Sequence, residues 1–147
     1  MDIIGIGTDI VECVRIARMI ERHGEQFLHR VYTDREIRLC QARHHATEHF
    51  AGRWAAKEAV LKCLGTGWRT GLCWTDVEIR TDADGQPRVL VCGRAKERAR
   101  HLRVADILLS ISHCRAYATA CALAVRDSAP PAPGTPTGPA GAEGEKG

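Results

Sequence analysis

After Arg126 the sequence changes character: SAPPAPGTPTGPAGAEGEKG is rich in Pro, Gly and Ala and has no large apolar residue. Such a stretch cannot bury enough surface to offset the entropy cost of ordering it, so residues 127–147 are expected to form a disordered tail. Whatever folds must come from residues 1–126, which suffice for one hydrophobic core and are too few for two. A single domain of that size offers a shallow active site or one shared between subunits. No internal repeat is visible in it.

Glycines and turn signals divide these residues into a β-α-α-α-β-β-α-β-β order. The opening DIIGIGTDIV is β-rich and predicts a strand ending near Asp9, then a helix from about Glu12 to His23 that stops at Gly24. Thr33 with Glu36 three residues on is a capping box for a short helix reaching about Arg43. A longer helix is expected from about Thr47 to Leu64, with Phe50, Trp54 and Leu61 on an apolar side and Gly65 as its stop. LCWTDVEIRTD and RVLVC flank the Asp-Gly of a hairpin turn, residues 94–103 read as helix, and ILLSISHC and AYATACALAV read as a final hairpin across Cys114 and Arg115. The pattern predicts an α+β fold with a mostly antiparallel sheet.

Seven cysteines at irregular spacing, without a C-x-x-C pair, fit reduced thiols and a cytosolic, cytoplasmic setting better than a disulfide framework or a thiolate zinc site. The start MDIIGIGTDI has neither the charge nor the apolar length of a signal peptide, and no stretch reaches membrane-spanning length, so no membrane partner is expected. Residues 1–126 hold 20 cations against 15 acids, and 17 of the 21 cations in the whole chain are Arg. Arginine's planar fork suits phosphates and carboxylates, so the partners should be acidic. Seven aromatics and no recognisable nucleic-acid motif argue against RNA or DNA.

Four groupings could carry chemistry, and each has a plainer explanation. Asp9 follows G-I-G-T at a strand end, where glycines let backbone approach a ligand; taken alone, such an Asp is more often a helix cap. RWAAKEAVLK holds Arg53, Lys57, Glu58 and Lys62, with Glu58 and Lys62 one helical turn apart on one face. A pair at that spacing is usually a solvated salt bridge, but alanines 51, 55, 56 and 59 leave room for something to lie against the helix. Cations and carboxylates beside small residues suit a magnesium ion with phosphates. His45-Ala-Thr-Glu48-His49 matches the H-x-x-E-H pattern of zinc metalloproteases, yet it has no obvious third ligand and fits surface polarity at a helix entrance better. Ser112-His113 ends an apolar strand, so His113 either donates a hydrogen bond to a phosphate or is a satisfied edge histidine.

Three of these segments, in order, carry a resemblance. GIGTDIVE at 5–12, FAGRWAAKEA at 50–59 with Lys62 and the G-T-G at 65–67, and SISH at 110–113 resemble holo-acyl-carrier-protein synthase, of the phosphopantetheinyl transferases. The likeness spans about residues 1–125. It implies transfer of 4′-phosphopantetheine from coenzyme A to a serine of an apo acyl-carrier protein, releasing adenosine 3′,5′-bisphosphate. It further implies that Asp9 and Glu58 hold Mg2+ against the diphosphate, with Lys62 on that diphosphate. Lys62, Glu58 and a water on the metal all stand as the base for the serine. Arg53 and His113 are implied at the adenosine 3′-phosphate, with Lys57 and the turn from Gly65 to Gly67 near the nucleotide.

Arg15, Arg18 and Arg22 fall at i, i+3 and i+7 on the helix after Asp9, a basic stripe diluted by Glu21 and Glu25. In the resembling family this helix docks an acidic carrier helix, so a carrier-binding role with salt-sensitive affinity is expected. Family members are trimers with active sites between subunits, which implies a homotrimer here and would answer the shallow site. The tail stands outside the family pattern, Trp54 stands where Phe is common, and Cys63 beside Lys62 and Cys114 beside His113 would make activity sensitive to oxidation. The rivals are a zinc hydrolase built on His45, Glu48 and His49, and a non-catalytic basic module that needs neither Asp9 nor Glu58.

Overall fold

The alanine-rich segment forms the helix around which everything else is arranged. In the computed structural model, which describes residues 1–65 and 71–128, the elements are β1 (Asp2–Glu12), α1 (Cys13–Val31), α2 (Asp34–Gln41), α3 (Ala46–Cys63), β2 (Val77–Thr81), β3 (Pro87–Val91), α4 (Gly93–His101), β4 (Asp106–His113) and β5 (Tyr117–Arg126). A 3-10 turn at Trp74–Asp76 precedes β2. The expected order and α+β class hold. Residues 66–70, Gly67 included, and the tail from residue 129 lie outside the described residues.

A three-stranded antiparallel sheet runs β1-β5-β4, and β2 and β3 pair as a separate antiparallel hairpin. The register lines up Asp9, Ala120 and Ile111 in one row across the sheet, and Val11, Ala118 and His113 two rows on. Successive strand residues face opposite sides. Rows that include Val11 with Ala118 and Gly7 with Ala122 therefore face α3, and Ile6, Ile10 and Leu108 face outward.

Alanines 51, 55, 56 and 59 of α3 are fully buried, because the sheet lies against them. The space expected for a ligand is thus filled by β-structure. Gly5 and Gly7 serve the same packing: a Cβ on Gly7 would fall 2.0 Å from the Ala59 carbonyl oxygen, and one on Gly5 2.1 Å from that of Cys63. These glycines let β1 approach the helix rather than a ligand.

β1 runs past Asp9 to Glu12, so Asp9 is a mid-strand residue paired with Ala120 and caps no helix. α1 does not stop at Gly24. The chain bends there (φ 50°, ψ −129°) and resumes its helix to Val31, since Phe27, Leu28 and Val31 are needed in the core. Phe27 stacks on Trp54, Trp54 meets Trp74 at 4.2 Å, and the Tyr32 hydroxyl donates to the Phe50 carbonyl at 2.8 Å. That aromatic cluster ties the end of α1 to α3. The Thr33–Glu36 capping box forms as expected at α2, and Gly65, at φ 67°, ends α3.

Candidate functional site

Asp9 projects from β1 toward the C-terminal half of α3, where Glu58 and Lys62 lie one turn apart. Lys62 Nζ donates to Asp9 Oδ1 at 3.0 Å and to the Thr8 carbonyl at 3.0 Å. An ammonium has three donors, so one remains for a further acceptor. Glu58 is half-buried, and burial, followed by the negative charge of Asp9, raises its carboxyl above the usual range, with Lys62 and Arg15 pulling it back. Two carboxylates are thus held close enough to repel.

That repulsion, with hard oxygen donors on both sides and a cation already drawn in, fits a magnesium ion that takes its other ligands from water and phosphate oxygens. The His45, Glu48 and His49 set does not fit zinc. His45 stacks edge-on with His44 at 4.7 Å, whereas His49 meets His113 at 5.3 Å and Glu48 reaches His113 Nδ1 at 3.4 Å. Among the described residues no three His, Cys, Asp or Glu side chains form a group able to hold a metal ion.

Arg53 and His113 line one cavity, apart from Asp9, Glu58 and Lys62, together with Arg35, Arg43, His49 and Ile111. Arg53 Nε is buried there without a hydrogen-bond partner. Burial, then the charges of His113, Arg43 and Arg53, hold His49 below its usual range. Three arginines against one carboxylate, Asp82, give the cavity a net positive lining, which suits an anion. Arg35 and Arg43 were not singled out from the sequence; Arg35 and Leu39 share a face of α2 at i and i+4, and Arg43 follows in the loop after it.

Lys57 contradicts its expected place near a nucleotide. It is fully buried, its Nζ 2.6 Å from Glu36 Oε1 and donating to the Trp74 carbonyl at 3.2 Å and to that of Val77. No ligand can reach it. Arg15, Arg18 and Arg22 lie on the first segment of α1, where all three are exposed. Gly65 lies directly after the turn that carries Lys62.

The model of the 4′-phosphopantetheinyl transferase superfamily matches residues 5–122. The holo-[acyl-carrier-protein] synthase of Koribacter versatilis is 47% identical over 118 residues, covering 80% of this chain and 94% of the relative. That of Rhodopirellula baltica is 48% identical over 120 residues, 82% of this chain and 95% of its own. Among solved structures, the holo-[acyl-carrier-protein] synthase of Neisseria meningitidis superposes with a TM-score of 0.78 at 30% identity, covering 85% of this chain and 100% of that one. The Helicobacter pylori enzyme in complex with coenzyme A gives 0.72 at 30% identity, over 82% and 99%. The chain belongs to the 4′-phosphopantetheinyl transferase superfamily and, within it, to the holo-[acyl-carrier-protein] synthases.

Proposed function

We propose that residues 1–126 form a magnesium-dependent transferase that moves 4′-phosphopantetheine from coenzyme A to a serine of apo acyl-carrier protein and releases adenosine 3′,5′-bisphosphate, with residues 127–147 a tail outside the reaction. The observation that carries this reading is the meeting of Asp9, Glu58 and Lys62, drawn from β1 and α3, with Lys62 bonded to Asp9. Asp9 and Glu58 would hold the magnesium ion, which when bound neutralises charge on the diphosphate. Lys62, fixed by Asp9 and Thr8, directs its remaining donor to a diphosphate oxygen. Arg53 and His113 receive the 3′-phosphate, and this cavity rather than any motif distinguishes coenzyme A from shorter pantetheine phosphates. Gly65, at φ 67°, begins the turn proposed to lie beside the nucleotide.

The two clusters do not share a face of α3. At about 100° per residue, Arg53 lies roughly 140° around the helix from Glu58 and about half a turn from Lys62. Asp9 stands on one edge strand of the three-stranded sheet and His113 on the other. Copies packed around a threefold axis would bring the Arg53 cavity of one subunit to the carboxylates of the next, which supports a homotrimer with shared sites. The outward face of the sheet offers the surface for it: Ile3, Ile6 and Ile10 are each about two-thirds exposed, beside Leu108 and Tyr117. A stable, fully active monomer in sedimentation would exclude this arrangement.

One assay tests the reaction. The chain is incubated with coenzyme A, magnesium and an apo carrier protein, and mass spectrometry reads phosphopantetheine added to the carrier. Absence of that gain overturns the reading. The basic stripe on α1 supplies the carrier contact, close enough to the carboxylates that Arg15 lowers the Glu58 carboxyl. Arg18→Glu is expected to raise the KM for carrier by about 10-fold at low salt, to flatten its salt dependence and to leave kcat nearly unchanged. An unchanged KM removes the stripe from carrier binding. No helix among the described residues is long and apolar enough to cross a membrane, and a cytoplasmic setting accords with seven free cysteines.

A further inference from the structure

Lys62 reaches Asp9 with a long side chain whose position depends on the last turn of α3, and that turn is held from outside the helix. The final carbonyls of a helix have no partner within it and lie at the negative end of its dipole. The Leu64 carbonyl is met by Arg98 Nε of α4 at 3.1 Å. The same guanidinium lies over Gly65, its Nη2 3.6 Å from where a Cβ on that residue would stand. The Gly65 amide in turn donates to the Lys62 carbonyl at 3.0 Å. Arg98 is itself anchored: Ala95 and Ala99 seat α4 in the core, and Arg98 is half-buried between them in sequence.

We propose that Arg98 is a positioning residue for the transfer reaction. It clamps the C-terminal turn of α3 so that Lys62 keeps its contact with Asp9 and the chain leaves at Gly65 in one conformation. The proposal rests on the role given above to Lys62. Arg98 thus meets the end of α3 from across the chain, its Nε on the Leu64 carbonyl that the helix itself leaves without a partner.

The test uses the full chain in the carrier-modification assay, with four variants. Arg98→Ala is expected to lower kcat by about 10- to 100-fold with the KM for carrier unchanged, since misplacement of a reacting group by about 1 Å has effects of that size. Arg98→Lys keeps the charge without the planar fork and is expected at an intermediate rate. Added guanidinium, below denaturing concentration, should restore part of the Arg98→Ala rate. In a Lys62→Ala background, Arg98→Ala should change the residual rate by less than about 2-fold, because two groups acting as a unit do not lose activity twice. A purely structural role would not produce that silence. Losses that multiply across the double variant, or a wild-type kcat in Arg98→Lys, overturn the proposal. Where Arg98→Ala does not fold, the Lys variant and its pairing with Lys62→Ala decide it. A native chain that adds nothing to the carrier fails the proposed function itself, and the two failures are thereby distinct.

Discussion

Glu58→Gln is expected to lower the rate of phosphopantetheine transfer by about 10²–10³-fold while leaving the folded chain at least as stable as the native one. On the metal role proposed for Glu58, the rate loss would come from exchanging an anionic ligand for a neutral amide, where a bound metal would contribute several kcal/mol of charge stabilisation. The stability comes from the opposite side of the same geometry. Burial and the charge of Asp9 raise the Glu58 carboxyl, so the fold binds its proton more tightly than the unfolded chain does. Ionising it therefore opposes folding as pH rises through the raised value, and Gln removes that penalty. Asp9→Asn should lower the rate as much, but it also strips Lys62 of its partner. The exposed half of that pair limits the stability loss to about 0.2–1 kcal/mol. Chelation of divalent ions should reproduce the rate loss in the native chain and magnesium should reverse it, and the mass assay together with thermal melts reads all of these. Wild-type transfer by Glu58→Gln would remove the acidic pair from the metal site.

Such a site, set for charge at some cost to stability, was partly legible in the sequence. Local signals carried well. The Thr33–Glu36 capping box, the Asp-Gly hairpin and the Gly65 stop each depend on a few adjacent residues, and each forms where the spacing put it. Gly24 misled because a glycine accommodates a positive φ at a stop and at a bend alike. The residues after Gly24 decide between the two, and Phe27, Leu28 and Val31 supply enough burial to resume the helix. The carboxylate pair was harder. Asp9, Glu58 and Lys62 were credible together only through their order with other motifs, since each alone has a commoner explanation as a cap or a surface ion pair.

The glycines and alanines were misread for a common reason. Small residues signal that something approaches closely, without saying what, and here β1 and α3 approach each other. Arg53 was recognised without its neighbours, because Arg35 and Arg43 reach the cavity from α2 and the loop after it through tertiary packing. Arg98 gave no local signal at all, its partner being 34 residues away. Lys57 and Lys62 looked equivalent in RWAAKEAVLK, although Phe50, Trp54, Lys57 and Leu61 fall at i, i+4, i+7 and i+11 on the apolar side of α3 and Lys62 lies off it, which tells the enclosed lysine from the exposed one.

That difference has a large stability consequence. Lys57→Met is expected to destabilise the fold by about 3–5 kcal/mol, since it leaves the Glu36 carboxylate enclosed without its cation. Glu36 is fully buried and already committed: its Oε1 accepts from the Thr33 amide at 2.9 Å, and its Oε2 from the Ile79 amide at 3.1 Å. Burial lowers the Lys57 ammonium, and Glu36 holds it up again through charge and hydrogen bonding. The pair thus joins α2, α3 and the start of β2 at one point. For a domain of this size the loss corresponds to a fall of about 10–20 °C in Tm, read at a fixed protomer concentration because assembly would shift it. Lys57→Met with Glu36→Leu should recover much of that fall, because a buried ion pair and an apolar pair of similar volume differ far less than a pair and its broken half. Neither substitution touches Asp9, Glu58, Lys62 or Arg53, so folded Lys57→Met, assayed well below its Tm, should retain its KM for coenzyme A. A native Tm combined with a raised KM would return Lys57 to the nucleotide and sink its assignment as the buried tie between the helices.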